Sequence, residues 1–176
     1  MPQNSRRQAT VSGAAGRRPA NGGPGPHELL DATNVRLLRE LSADPRMSMS
    51  ALARRLDMSA PAVTERVQRL ERAGVIRGYR VTLDPAALGL PLTAFARIRP
   101  VAGQLTRIVE LAEELPEISE CHRITGEDCF LLKLHAASMA HIESILDRFL
   151  LYGQTTTSVV VSTPVPRRCP PLPDVP

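Results

Sequence analysis

Residues 48–74, SMSALARRLDMSAPAVTERVQRLERAG, read as two helices joined by a tight turn. Ser48 stands before a short apolar pattern of Ala51, Leu52 and Leu56. Its hydroxyl suits a helix cap, where it accepts from a backbone N–H that has no partner inside the helix. Asp57, Met58 and Ser59 then break the pattern: Asp tolerates the backbone angles of a turn, and Ser59 is placed to cap a second helix. Pro61 falls in the first turn of that helix, where a missing N–H costs nothing, and Gly74 supplies the stop. Val63, Val67 and Leu70 recur at i, i+4 and i+7 and form one apolar stripe. The other side presents Ala60, Thr64, Glu65, Gln68, Arg69 and Arg72 and is mostly basic.

A basic amphipathic helix is often no more than a solvated face. The pair carries more information than either helix alone. A short helix, a three-residue turn and a capped second helix whose exposed edge begins with small residues match the geometry that enters a DNA major groove. Small residues allow close backbone approach, and arginines reach phosphates or guanine edges. The charge distribution agrees. Arg46 to Arg80 holds eight arginines against Asp57, Glu65 and Glu71, whereas residues 81–176 hold eight basic and eleven acidic side chains. The positive field is concentrated on the helix pair.

Upstream, Asp31 caps an expected helix that turns Leu37, Leu38 and Leu41 inward and ends near Asp44-Pro45, completing a three-helix DNA-binding unit. Residues 1–26 are rich in Gly, Pro, Ala and Arg without periodicity, and are expected to be a disordered basic arm with at most weak, sequence-independent attraction to DNA. Downstream, Val75 to Leu83 is rich in strand formers and is expected to form a wing or linking strand, with Arg77 and Arg80 facing a duplex backbone.

The second half alternates regularly. A strand over Leu92 to Arg99 precedes a helix over Gly103 to Leu115, with Leu105, Ile108, Val109 and Ala112 on one face. A strand over Ile118 to Thr125, a turn at Gly126-Glu127-Asp128 and a strand over Phe130 to His135 follow. Ser138 then caps a helix carrying Ile142, Ile145, Leu146 and Phe149, and Thr155 to Thr163 closes the domain as a strand. The order βαββαβ is that of a ferredoxin-like sandwich, so the fold class is α+β. Helices cover one sheet face; a second copy is expected on the other, which makes a dimer the expected unit. The domains are set at 1–26 (arm), 27–87 (helix-turn-helix with linking strand), 88–166 (ferredoxin-like) and 167–176 (Pro-rich tail).

Three cysteines argue for a reducing, cytoplasmic compartment rather than a disulfide framework. No apolar run approaches bilayer length, and no apolar segment follows Arg6-Arg7 or Arg17-Arg18 as a twin-arginine signal would need. Cys121, His122, Cys129 and His135 match no familiar zinc spacing, and alternation sends Cys121 and His122 to opposite faces, so no metal or other cofactor is expected. No catalytic constellation is argued either, and the chain is read as a non-enzyme.

The residues resemble the Lrp/AsnC family of feast/famine transcription regulators across roughly Leu30 to Val165. The likeness rests on Leu30-Asp31, Leu52-Ala53, Ser59, Glu65-Arg66-Val67, Arg69-Leu70-Glu71, Gly74-Val75-Ile76, Gly78-Tyr79, Leu83-Asp84-Pro85, Leu88-Gly89, Ile124-Thr125-Gly126, Asp128 and Leu131-Leu132, with Thr157 to Thr163 as a last strand. The resemblance implies a regulator that binds DNA as a dimer, assembles further to tetramers or octamers, and responds to an amino acid held between dimers. By the same resemblance Ser59, Ala60, Pro61, Thr64, Arg66 and Arg69 meet DNA, joined by Gln68, Arg72, Arg77 and Arg80 from the basic face. Gly126 and Asp128 line the effector pocket with Thr157, Ser158 and Val159, and Glu127 assists. Asp57 at the bend, where relatives carry Gly, and Cys129, where relatives carry an aromatic, depart from the pattern. Two other functions are consistent with the architecture: a ligand-independent protein that coats DNA, and a tetrapyrrole decarboxylase, which would be expected to lack the basic surface.

Overall fold

A computed structural model describes residue 25 and residues 28–175; the expected basic arm lies outside the described residues apart from Gly25. The described residues divide into two compact units, those up to residue 79 with residues 169–175, and residues 80–168.

The first unit holds α1 (Ala32–Ala43), α2 (Met49–Leu56) and α3 (Ala60–Arg72). The three expected caps are in place: the side chains of Asp31, Ser48 and Ser59 accept from the amides of Asn34, Ala51 and Ala62. Asp57 adopts the left-handed conformation at the bend (φ 55, ψ 45), the only non-glycine residue described with positive φ. A short polar side chain tolerates that region where a branched one would not. Leu37, Leu38, Leu41, Leu52, Leu56, Val63, Val67 and Leu70 form one core with Leu29, Met47 and Ala53.

One polar node joins α1 to α3 inside this unit. Asn34 is 3% exposed; its amide donates to the Leu29 carbonyl at 2.6 Å and its oxygen accepts from Arg66 at 3.0 Å. Arg66 also donates to Asp31 at 2.8 Å. A buried amide without partners costs about 1–3 kcal/mol, so Arg66 satisfies Asn34 while fixing the start of α1.

The linking strand expected over Val75 to Leu83 is absent. After α3 the Val75 amide donates back to the Leu70 carbonyl, and Val75 and Ile76 pack on the helical core instead. Gly78 (φ 144) follows, and Val81 and Leu83 stand 84% and 63% exposed with no neighbouring strand among the described residues. A strand needs a ladder partner, and one described copy of the chain supplies none here.

The second unit contains β1 (Leu92–Pro100), α4 (Leu105–Glu114), β2 (Ile118–Arg123), β3 (Phe130–Ala136), α5 (Met139–Asp147) and β4 (Gly153–Val159). The sheet is antiparallel throughout in the order β2-β3-β1-β4, as expected of βαββαβ. Ala94, Ala96 and Ile98 of β1 and Phe130, Leu132, Leu134 and Ala136 of β3 face the helices. On α4 the core side is Ile108, Leu111 and Ala112, not Val109, which is 38% exposed. The stripe continues to Leu115, and Val109 lies one residue round from it. β2 stops two residues short of Thr125. β4 stops at Val159, with one more backbone bond from Val160 to Thr93; Val161 is 99% exposed.

Two tests follow from these contacts. Gly153 is buried where β4 leaves its turn, and an added Cβ would sit 2.6 Å from the Arg99 carbonyl oxygen and 2.9 Å from Ile98 Cγ2. Gly153→Ala is expected to lower stability by about 1–3 kcal/mol in urea unfolding; an unchanged midpoint would contradict this packing. For Asp31, burial pushes the carboxyl up, but the hydrogen bonds from Arg66 and from the amide of Asn34 outweigh it, and its pKa lies below the usual carboxylate value. A group depressed in the folded state stabilises above its unfolded pKa and ceases to as pH falls through the folded one. Asp31→Asn should therefore flatten the loss of thermal stability below about pH 4, measured from about pH 5 to about pH 2.

Candidate functional site

Two surfaces carry the chemistry, one in each unit. On the helical unit, burial of Val63, Val67 and Leu70 turns Pro61, Glu65, Gln68, Arg69 and Arg72 outward. Gln68, Arg72 and Arg77 have no side-chain partner among the described residues. Arg69 pairs with Glu65 one turn earlier at 2.7 Å, both half-exposed, so the pair is cheaply opened. Ser59 caps the helix, Thr64 Oγ1 donates to the Ala60 carbonyl at 2.9 Å, and Ala60 is half-buried against the core. These three form the close-approach start of α3 rather than a set of free donors.

Arg66 differs from its expected role. It sits on the flank of α3 that meets α1 and is spent on Asp31 and Asn34. Arg80 is exposed but falls in the second unit, so it is described apart from this face. On the neighbouring helix Arg55 is held by Glu40, and Arg54, which sequence reasoning passed over, is exposed without a partner among the described residues. The Tyr79 hydroxyl donates to Glu71 at 3.1 Å, which brings the start of the linker back over the end of α3.

On the second unit the sheet face away from α4 and α5 is open. Strand alternation and register place Phe95 and Arg97 of β1, Leu131 and Lys133 of β3, and Thr156 and Ser158 of β4 on it. The β2–β3 turn bends over its end. Asp128 lies 3.3 Å from Arg99 Nε and 3.9 Å from Arg97 Nε, and Glu127 lies 2.7 Å from Arg99. Gly126 has φ 109, which a side chain would strain, and so shapes that turn.

Of the expected effector residues, Glu127 and Asp128 are thus gathered beside Arg97 and Arg99, and Ser158 shares the open face, opposite Phe95. Thr157 and Val159 stand opposite Ala96 and Ala94 and point to the helix side, so within one chain they are not gathered with the turn. Thr156, opposite Arg97, takes that place. The two arginines and Thr156 were missed by sequence reasoning. The signal for the arginines was present in Ala94-Phe95-Ala96-Arg97-Ile98-Arg99, whose alternation puts both guanidiniums on the face that the helices leave uncovered. Guanidinium beside carboxylate offers each end of a zwitterion an opposite charge, by exchange of ion pairs.

An open groove of about 280 Å³ runs between α4 and β2, lined by Val109, Ala112, Glu113, Ile118, Cys121 and Phe130 among others. Burial, then Glu113, pushes the Cys121 thiol above its usual pKa, the reverse of an activated nucleophile. His122 pairs with Glu120 at 3.0 Å. His135 shares a hydrogen bond with Thr93 and has its pKa lowered by burial and then by Lys133. Cys129 Sγ lies against the Gly126 carbonyl. Among the described residues no three His, Cys, Asp or Glu side chains are grouped to hold a metal ion, and no helix is long and apolar enough to cross a membrane.

Comparison with known proteins gives two family profiles, a winged helix-turn-helix DNA-binding domain over residues 30–77 and an Lrp/AsnC ligand binding domain over residues 93–170. The chain is 35% identical over 133 residues to the transcriptional regulator LrpC of Bacillus subtilis, covering 76% of this chain and 92% of that protein. It is 36% identical over 142 residues to the leucine-responsive regulatory protein of Haemophilus influenzae, covering 77% and 86%. Among solved structures, the feast or famine regulatory protein of M. tuberculosis complexed with L-methionine superposes with a TM-score of 0.75 at 33% identity, covering 82% of this chain and 99% of that one.

The free and committed arginines are separable by experiment. Arg72→Ala should weaken binding evenly across duplex sequences and reduce the salt slope by about 1. Arg66→Ala should instead lower thermal stability, by about 1 kcal/mol given the half-exposed Asp31 partner. An Arg66 variant of parental stability with a reduced salt slope would return that side chain to the DNA-contacting set.

Proposed function

Because the chain belongs to the Lrp/AsnC family of transcriptional regulators, we propose that it binds specific double-stranded DNA sites through α3 and alters that binding when an amino acid or related small metabolite occupies its second domain. The observation that carries the DNA half is the outward edge of Gln68, Arg69 and Arg72 on a capped helix whose other side is fully buried. Pro61 and the half-buried Ala60 and Thr64 let Gln68 and Arg69 approach base edges, and Arg72, Arg77 and Arg80 add phosphate contacts.

The effector half rests on the turn Gly126-Glu127-Asp128 with Arg97 and Arg99 beneath it. Asp128 receives the ammonium and an arginine the carboxylate, with Ser158 and Thr156 alongside. Structures similar to this one were solved with L-methionine, which supports an amino acid as the class. The open sheet face with Phe95 and Leu131 supports a homodimer, and further assembly to tetramers or octamers places two effector turns together. No enzymatic activity and no cofactor are proposed. The site of action is the cytoplasm, in keeping with three unpaired cysteines.

The decisive experiment is a gel-shift titration on a duplex selected by the protein from random DNA, with L-methionine, L-leucine and other amino acids added singly. The parent should shift its affinity with at least one of them, because a ligand of equal affinity for both states moves nothing. Asp128→Ala should keep effector-free affinity within about twofold and lose the response. A parental response in that variant would move the site away from the turn, and equal affinity for random and selected duplexes at physiological salt would replace specific regulation with DNA coating.

A further inference from the structure

The segment after Arg168 does not stay with the domain that precedes it. Residues 169–176 group with the helical unit, and Leu172 is half-buried against the core that α1, α2 and α3 share. Asp174 lies 3.9 Å from Arg39 on α1. Both side chains are exposed, so that pair marks where the tail runs rather than holding it. The seat is apolar. Leu172 itself lies beyond the two family profiles, which end at residues 77 and 170.

The composition around Leu172 is that of a stiff connector. Pro164, Pro166, Pro170, Pro171 and Pro173 restrict the backbone to extended conformations, which lose little freedom on docking. β4 ends at Val159, and the chain from there to Leu172 reaches roughly 40 Å when extended at about 3.1 Å per residue. A segment so built holds a distance, whereas a Gly/Ser linker of the same length would not.

We propose that residues 160–175 form a strap. Leu172 seats on the helix-turn-helix core of its own chain, so the DNA-reading unit is joined to the effector domain twice, by the linker after Gly74 and by the tail after β4. Two attachments restrict the reader's orientations. In a dimer this raises the effective concentration of the second reader at the second half-site once the first is bound. That consequence rests on the dimeric reading given above; the seat itself does not.

The test has two arms. In a background with Cys121, Cys129 and Cys169 changed to Ser, Arg39→Cys and Asp174→Cys are treated with a short bifunctional maleimide. An intrachain bridge, seen by mass without doubling of the chain, is expected, and Leu172→Asp should remove most of it. No bridge, a bridge unaffected by Leu172→Asp, or a covalent dimer in its place would overturn the seat.

The second arm compares the parent with Leu172→Asp and with a chain ending at Arg168, on the selected two-half-site duplex and on the same duplex with one half scrambled. Both variants should lose about tenfold in affinity for the intact duplex and less than about twofold for the scrambled one. Equal losses on both duplexes, or none on either, would overturn the strap. A parent that binds both duplexes alike would overturn the dimeric reading and the strap's proposed advantage with it, while the cross-link would still decide whether the seat exists.

Discussion

Two helices packed on a four-stranded sheet cover one face only. That constraint governs the second domain. Small residues, Ala94 and Ala96, let α4 and α5 sit close to β1, and alternation sends Phe95, Arg97 and Arg99 the other way. The uncovered face carries Phe95 and Leu131 among charged and hydroxylic neighbours, too polar to be a core and too apolar to be left wholly to water. The homodimer proposed above would resolve this, because a self-complementary face needs no second protein to evolve against it. The turn that bends over the end of this face carries the acids, and the strand beneath carries the arginines. In the proposed homodimer the same open face would therefore also place the charges at the partner's edge.

The helical unit shows why a count of arginines overstates a DNA footprint. Eight arginines lie between residues 46 and 80. Arg66 holds Asp31 and Asn34, and Arg55 holds Glu40. Arg69 is paired within its own helix but half-exposed, and Arg54, Arg72 and Arg77 are unpaired among the described residues. Phosphate affinity scales with the cations that are free to release counterions, so committed guanidiniums contribute architecture and little salt dependence. The bonds that occupy Arg66 tie α1 to α3 and satisfy a buried amide.

Local signals were legible in the sequence where the cause was local. Caps at Asp31, Ser48 and Ser59, the bend at Asp57 and the stripe Val63-Val67-Leu70 depend on neighbours a few residues away, and all are found where the spacing puts them. The βαββαβ element order of the second domain was legible from the spacing of its apolar runs. What escaped depended on distant partners. Val75 to Leu83 has strand composition but no strand beside it, and Val109 has helical spacing but falls off the core side once Leu111 and Leu115 take it. At the candidate effector site the turn Gly126-Glu127-Asp128 was legible as a motif. The alternation of Ala94 to Arg99 marks Arg97 and Arg99 for the open face, but their meeting with that turn was not legible, since nothing in sequence announces which turn will fold back over which strand.

Coupling between the two surfaces requires that an effector favour one arrangement of the readers over another, and its leverage cannot exceed the difference in its affinity for the two. A pocket assembled from exposed ion pairs supplies such a difference readily. Arg97 and Arg99 already hold Asp128 and Glu127, so at the proposed site an arriving zwitterion would exchange partners rather than fill an empty site. A fully desolvated pair would resist that exchange by several kcal/mol, whereas half-exposed pairs are individually worth about 1 kcal/mol or less. The second domain thus keeps its rigid apolar core on the helix side of the sheet and its exchangeable charges on the other. A ligand bound among those charges would rearrange the open side without loosening the side that keeps the fold.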